Sequence, residues 1–158
     1  MISCILAAGT AERFGSCKAL YKVNDKPMIE HVIDAIPEAQ DIYVVTGSYR
    51  EELEDYLKSK DVSPIHNPDY QKGMGTSIRV AATQALKLKS DLLLTFCDLP
   101  FVTKEDYNIL ISKFSIKPVF SQFEGIVGPP AIFPATQLEV LLTLEADHGA
   151  KKLFKEYN

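Results

Sequence analysis

Positive charge is in short supply in this chain. Its 17 lysines and arginines are outnumbered by 21 aspartates and glutamates, a net charge of -4 over 158 residues. Proteins that grip nucleic acid through its backbone need the opposite balance, so no nucleic-acid partner is expected. A single triphosphate needs only a few local cations and stays compatible with this composition. Cysteine is scarce as well. Cys4, Cys17 and Cys97 lie far apart, in no metal-ligand spacing and no disulfide framework. Cys4 and Cys97 fall in strand-like apolar runs and read as buried free thiols, whereas Cys17 sits in a loop open to exposure. No apolar run reaches transmembrane length, and no membrane partner is expected. The start, Met1 to Leu6, has no basic leader and no long apolar core of a signal peptide. A reducing, cytoplasmic setting is the expectation. There is no repeat, no low-complexity tract and no linker, so residues 1–158 are expected to form one domain.

What the chain does have is short apolar runs alternating with helical patterns. Ile2–Ala7, Ile42–Thr46, Val62–His66 and Leu92–Phe96 read as strands, and Pro118–Ser121 and Ala131–Phe133 as two more. Pro27 opens a helical pattern that Pro37 closes. Further helices are expected over Glu51–Leu57, Ser77–Leu86, Gln137–Leu144 and Ala150–Tyr157. Another follows Thr103, with Asp106 three residues on in the manner of a capping box. Strands apolar throughout, rather than alternating, imply a sheet covered on both faces. The fold class is therefore α/β, a three-layer α/β/α sandwich on a mostly parallel twisted sheet. In such a fold the ligand crevice lies outside the carboxyl ends of the strands. Gly9, Gly47, Asn67 and Asp98 all fall just after strands.

The segment Leu6-Ala7-Ala8-Gly9-Thr10-Ala11-Glu12-Arg13-Phe14-Gly15-Ser16-Cys17-Lys18 follows the first strand as a phosphate loop would. Small residues let backbone N–H groups approach phosphate oxygens, and Arg13 and Lys18 add a donor fork and a mobile point charge. It is neither a dinucleotide fingerprint nor a Walker loop. By itself it also fits an ordinary turn with two surface cations. The segment Asn67-Pro68-Asp69-Tyr70-Gln71-Lys72-Gly73-Met74-Gly75-Thr76-Ser77 leads from a strand into a helix that Thr76 or Ser77 can cap. It reads either as a capped loop or as a helix N-terminus offered to an anion. Lys72 and Arg79 read as solvated charges. Asp98, in Cys97-Asp98-Leu99-Pro100, is an aspartate at a central strand end, costly to leave unpaired. It reads as a ligand for Mg²⁺ or as a turn cap. No nucleophile lies near His31 or His66, so a hydrolytic triad is not supported, and His148 reads as a solvated histidine or as a phosphate contact.

In order along the chain, these segments resemble the nucleotidyltransferases related to molybdenum cofactor cytidylyltransferase, the MobA-like NTP transferase domains. The family pattern Leu-Ala-Ala-Gly-x-Ser-x-Arg-Met-Gly-x-x-Lys is matched at Leu6, Ala7, Ala8, Gly9, Arg13, Gly15 and Lys18. Ala11 and Phe14 replace its serine and methionine. Asn67, Pro68, Gly73, Met74 and Ser77 match a second motif. Asp98 and Pro100 match a third, with Cys97 in place of glycine. Asp147, Gly149 and Ala150 match a fourth, in which Ala146 and Lys151 replace glycine and arginine. Gly125, Gly128, Pro130 and Phe133 follow a fifth. The resemblance implies the glycosyltransferase-A type of fold. It implies nucleotide binding by Leu6, Ala8, Gly9, Arg13, Lys18, Asn67, Gly73 and Ser77. Lys18, Arg13 and Asp98 would be catalytic, and Asp98 and Asp147 would hold Mg²⁺. It further implies transfer of a nucleoside monophosphate from an NTP, CTP in the leading reading, to a phosphorylated acceptor. The leading acceptor is a molybdopterin-type cofactor. The Gly125–Phe133 stretch would border the acceptor, or serve as a turn before an edge strand. The short span from Asp98 to Gly125 leads us to expect an acceptor pocket that is reduced, or completed by a partner subunit. Oligomeric state is not determined. A sugar-phosphate or alcohol-phosphate transferase and a non-catalytic nucleotide-binding protein are the alternative readings.

Overall fold

The computed structural model describes residues 1–11, 15–38 and 40–145. Strand β1 (Ile2–Ala7) leads into the first loop and a short 3-10 turn at Lys18–Leu20. A small ribbon of β2 (Lys22–Val23) and β3 (Lys26–Pro27) delivers the chain to α1 (Met28–Ala35). Then come β4 (Asp41–Thr46), α2 (Arg50–Leu57), β5 (Ser63–His66), α3 (Met74–Lys87) and β6 (Leu92–Phe96). They are followed by α4 (Lys104–Lys113), the hairpin of β7 (Val119–Phe123) and β8 (Ile126–Phe133), and a short α5 (Glu139–Leu142).

The main sheet has six strands in the order β5-β4-β1-β6-β8-β7. β1 pairs in parallel with β4 and β6, and β4 with β5. β8 runs antiparallel to both β6 and β7. The sheet is thus mixed, parallel over β5, β4, β1 and β6 and finished by an antiparallel hairpin. The hairpin follows from the short Glu124-Gly125 connection, which can join only antiparallel strands.

The pleat sorts the apolar strand residues onto two faces. Cys4, Leu6, Val45, Leu92, Leu94 and Phe133 pack with Ile78, Ala81 and Ala85 of α3 and with Leu138 and Leu141. Ile5, Val44, Leu93 and Ile132 point the other way, into Ile29 and Val32 of α1, Leu53 and Leu57 of α2, and Tyr107 and Leu110 of α4. This double burial is why the strands read as unbroken apolar runs.

Local signals acted where expected at several ends. Pro27 stands at the N-cap of α1. The Thr103 side chain accepts from the Asp106 N–H while the Asp106 carboxylate accepts from the Thr103 N–H, a complete capping box for α4. Three expectations fail. Helix α3 starts at Met74, not Ser77, and its cap is Gly73 with φ 123°. The Thr76 hydroxyl donates instead to the Gly73 carbonyl at 2.8 Å, inside the first turn. The expected helix over Gln137–Leu144 is a 3-10 turn followed by only the four residues of α5. The expected helix over Ala150–Tyr157 lies outside the described residues. Cys17 is buried, against its expected exposure, because it packs under α1 beside Ala19. Among the described residues no helix is long and apolar enough to cross a membrane.

Candidate active site

The carboxyl ends of β5, β4, β1 and β6 all reach the same edge of the sheet. A cavity of about 500 Å³ opens there. Its floor is the end of β1 and the loop after it, Leu6 to Ala11. One wall is the Cys17-Lys18-Ala19 turn, the opposite wall is Tyr70 to Met74 with Ser77, and Phe96-Cys97-Asp98 closes the end. The Ala19 side chain is buried and the Leu20 side chain packs against the α1 core, so Lys18 stands on an anchored turn rather than a free loop.

Lys18 Nζ donates to Asp98 Oδ2 at 2.6 Å, joining positions 80 residues apart in sequence. Both side chains are a little over one-third exposed, at 38% and 36%. A pair this wet contributes only about 0–1 kcal/mol to folding. It can therefore be opened by a ligand that offers both partners something better. A Cβ placed on Gly9 would meet no atom within 4 Å, so the floor there is open space. Next to Asp98, the Cys97 thiol is pushed up to about 12, first by burial and then by the neighbouring carboxylate. It is a neutral wall of the cavity and a poor thiolate.

The second loop is fastened from behind. Asn67 is 1% exposed, and its amide donates to the hydroxyls of Thr76 at 2.8 Å and Ser77 at 2.9 Å. Its Oδ1 accepts the Asp69 N–H at 3.0 Å. Asn67 thus lies behind the cavity wall and sets the position of Ser77, which lines it. The left-handed φ of Gly73 turns the chain so that the start of α3 faces the cavity. Lys72 pairs with Asp69 at 2.7 Å and stays exposed, as expected. Arg79 does not behave as a solvated charge: its guanidinium donates to the Leu144 carbonyl and ties α3 to the segment after α5.

Of the residues singled out in sequence, Leu6, Ala8, Gly9, Lys18, Gly73, Ser77 and Asp98 meet around this one cavity. Arg13 and Asp147 lie outside the described residues. Sequence reading assigned no role to Tyr49, Tyr70 or Met74, which also line the cavity. Met74 is 47% exposed there. The available signal was position, since Tyr49 follows the strand-end Gly47 and Tyr70 lies inside a motif. Among the described residues no three His, Cys, Asp or Glu side chains cluster as a metal cage.

A second cavity of about 860 Å³ adjoins the first, and Asp98 lines both. It lies between the Leu99–Val102 turn, α4 and the β7–β8 hairpin, and the Gly128-Pro129-Pro130 stretch forms part of its wall. That stretch is within β8 rather than a turn before it. α4 packs against both strands of the hairpin, and the space between them and the Leu99–Val102 turn is this second cavity.

A mixed α/β sheet whose parallel strands end at a cavity of about 500 Å³, with a lysine and an aspartate beside it, is an arrangement suited to handling a nucleotide. Residues 3–158 match the MobA-like NTP transferase domain, and the chain belongs to that nucleotidyltransferase family. It is 31% identical over 134 residues to the molybdenum cofactor cytidylyltransferase of Escherichia coli (strain K12), covering 83% of this chain and 69% of that one. It is 36% identical over 115 residues to the bifunctional protein GlmU of Zymomonas mobilis, covering 69% of this chain but only 25% of that protein's length. Rv0371c from Mycobacterium tuberculosis H37Rv superposes with a TM-score of 0.83 at 20% identity, over 98% of this chain and 81% of that chain. Its complex with manganese gives 0.78 at 19% identity, over the same shares of the two chains.

Proposed function

We propose that this chain transfers a nucleoside monophosphate from CTP to a phosphorylated acceptor, with Mg²⁺ as the metal. The observation that carries the reading is the Lys18–Asp98 pair at the junction of the two cavities. One cavity suits a nucleotide in volume, since small-ligand sites run to about 300–1,000 Å³. The adjoining cavity suits an acceptor. The likeness to the cytidylyltransferase of Escherichia coli supports CTP and a molybdopterin-type acceptor. The shared fold supports the glycosyltransferase-A type.

In the reaction an acceptor phosphate oxygen attacks the α-phosphorus. The bond from that phosphorus to the bridging oxygen breaks, and pyrophosphate leaves with the electron pair. The Lys18 ammonium leaves Asp98 and meets the charge that grows on the α-phosphate oxygens. The loop from Gly9 to Ala11 gives backbone close to the triphosphate, and the start of α3 turns its positive dipole end toward it. Ser77, held by Asn67, positions the nucleoside. The Asp98 carboxylate is a hard oxygen donor suited to Mg²⁺, which binds through one or two carboxylates plus substrate phosphates rather than in a full protein cage. When bound, the ion would neutralise phosphate charge and orient the leaving group. Asp147 is the second carboxylate in this reading, with Arg13 on the phosphates.

The test is pyrophosphate release with each common nucleoside triphosphate, Mg²⁺ and a panel of phosphorylated acceptors. Release is expected with CTP and only when an acceptor is present. Lys18→Ala and Asp98→Asn are each expected to lower kcat/KM by about 10²–10³, the loss typical of removing a transition-state donor. Their unfolding free energies should stay within about 1 kcal/mol of the parent, because the pair is exposed. Tight CTP binding with no release for any acceptor would mark a non-catalytic binding protein.

A further inference from the structure

Among the described residues, Lys18 and Asp98 are the only charged side chains that line the first cavity. They are joined to each other, Lys18 Nζ to Asp98 Oδ2 at 2.6 Å. The group suited to a metal thus already holds a cation, and the group suited to phosphate already holds an anion. Their backbones are fixed. At Lys18, the Leu20 N–H donates to the Cys17 carbonyl at 3.0 Å and the Tyr21 N–H to the Lys18 carbonyl at 3.1 Å. Beside Asp98, the Cys97 N–H donates to the Leu6 carbonyl at 3.1 Å. Opening the pair therefore asks only for a swing of the lysine side chain on its flexible stem.

A pair whose partners are both more than one-third exposed adds little to folding, so its weight falls on what each partner can bind. An ion on the same carboxylate oxygen, at about 2.1 Å, would lie within about 5 Å of the ammonium. That is inside the screening length of about 8 Å at physiological salt, so the two positive charges repel. A triphosphate changes the balance. It brings more negative charge than one carboxylate, draws Lys18 away and adds oxygens of its own for the ion.

We infer that Lys18 closes the metal position of the ligand-free chain and that a triphosphate opens it, so that divalent cation and nucleotide bind cooperatively. The inference rests on the transfer reading and adds a gate to the same site. The coupling is reciprocal, since what the nucleotide does for the ion the ion does for the nucleotide. Base and ribose take no part in it, because the phosphates are what compete with Asp98 for the ammonium.

Binding alone tests this, on the full chain and without turnover. Mn²⁺ takes the same oxygen ligands as Mg²⁺, and its free concentration is read by EPR. Without nucleotide, Lys18→Met should raise Mn²⁺ affinity about tenfold or more, whereas Lys18→Arg, which keeps the charge, should not. Adding Asp98→Asn to Lys18→Met should abolish the gain. Cytidine, which has no phosphate, should leave the Mn²⁺ affinity of the parent unchanged. In EDTA, Asp98→Asn should bind CTP about threefold or more tightly than the parent, because Lys18 no longer has a carboxylate to leave. Equal Mn²⁺ affinity in the parent and Lys18→Met overturns the gate, as does metal-free CTP binding by Asp98→Asn no tighter than the parent's. If no variant binds CTP, the transfer reading falls, while a Mn²⁺ gain in Lys18→Met still shows the lysine closing the metal position.

Discussion

Gly47 shows how one side chain's absence holds the site together. A Cβ at this position would lie 2.5 Å from the Ala8 carbonyl oxygen, 2.7 Å from the Ala8 Cβ and 2.8 Å from the Tyr70 Cβ. The cavity floor at Ala8 and the wall at Tyr70 therefore close on each other only because Gly47 is bare. Backbone cannot yield as a flexible side-chain tip does, so Gly47→Ala should cost about 1–3 kcal/mol in chemical denaturation. It should also weaken CTP binding, because the Ala8 floor and the Tyr70 turn must both move. A substitution with neither effect would show that the two loops are not in contact in solution. At the same scale, Asn67 acts as a positioning residue. Its three hydrogen bonds are all internal, and they tie Thr76, Ser77 and Asp69 together behind the cavity wall.

Among the elements, α4 is the one whose start is most fully specified. It also forms one side of the second cavity. The Thr103–Asp106 capping box satisfies donors at its first turn. Thr103→Ala should destabilise the protein by about 1 kcal/mol, the usual loss for an N-cap side chain, as read by the denaturation midpoint. Helix α3 is started differently, by the left-handed Gly73. Its first turn carries no acidic residue, which leaves the positive end of the helix dipole open toward the cavity.

For the molecule as a whole, burial sets an alkaline limit on stability. Tyr107 is fully buried between α4 and the sheet, with its hydroxyl 2.9 Å from that of Thr95. Burial pushes its pKa up to about 12 from the ordinary tyrosine value of 10.0. The unfolded chain loses this proton first, so the contribution is complete below about pH 10 and is lost as pH climbs toward 12. The buried Cys4 thiol, also pushed up to about 12, starts its own loss from 9.0. Urea unfolding between pH 8 and 11 should show stability falling with pH. Tyr107→Phe should flatten the slope above pH 10 by up to about 1.4 kcal/mol per pH unit. An unchanged slope in that variant would place the tyrosine in contact with water.

Sequence alone determined the α/β class, the double coverage of the sheet and the places where the chain turns back toward its strand ends. Each rests on local signals: unbroken apolar runs, prolines at helix limits, and a threonine–aspartate capping pair. Motif order was enough to point to the nucleotidyltransferase family. Contacts remote in sequence were decided by the tertiary structure. The meeting of Lys18 with Asp98 depends on β1 and β6 lying side by side, which no spacing encodes. The start of α3 moved because a backbone φ at Gly73 outweighed the capping preference of Thr76 and Ser77. The second cavity was invisible for the same reason. Phe101, Ile109 and Ile126 are scattered along the chain as ordinary hydrophobic residues, and they line one space only when the hairpin packs beside β6 and against α4.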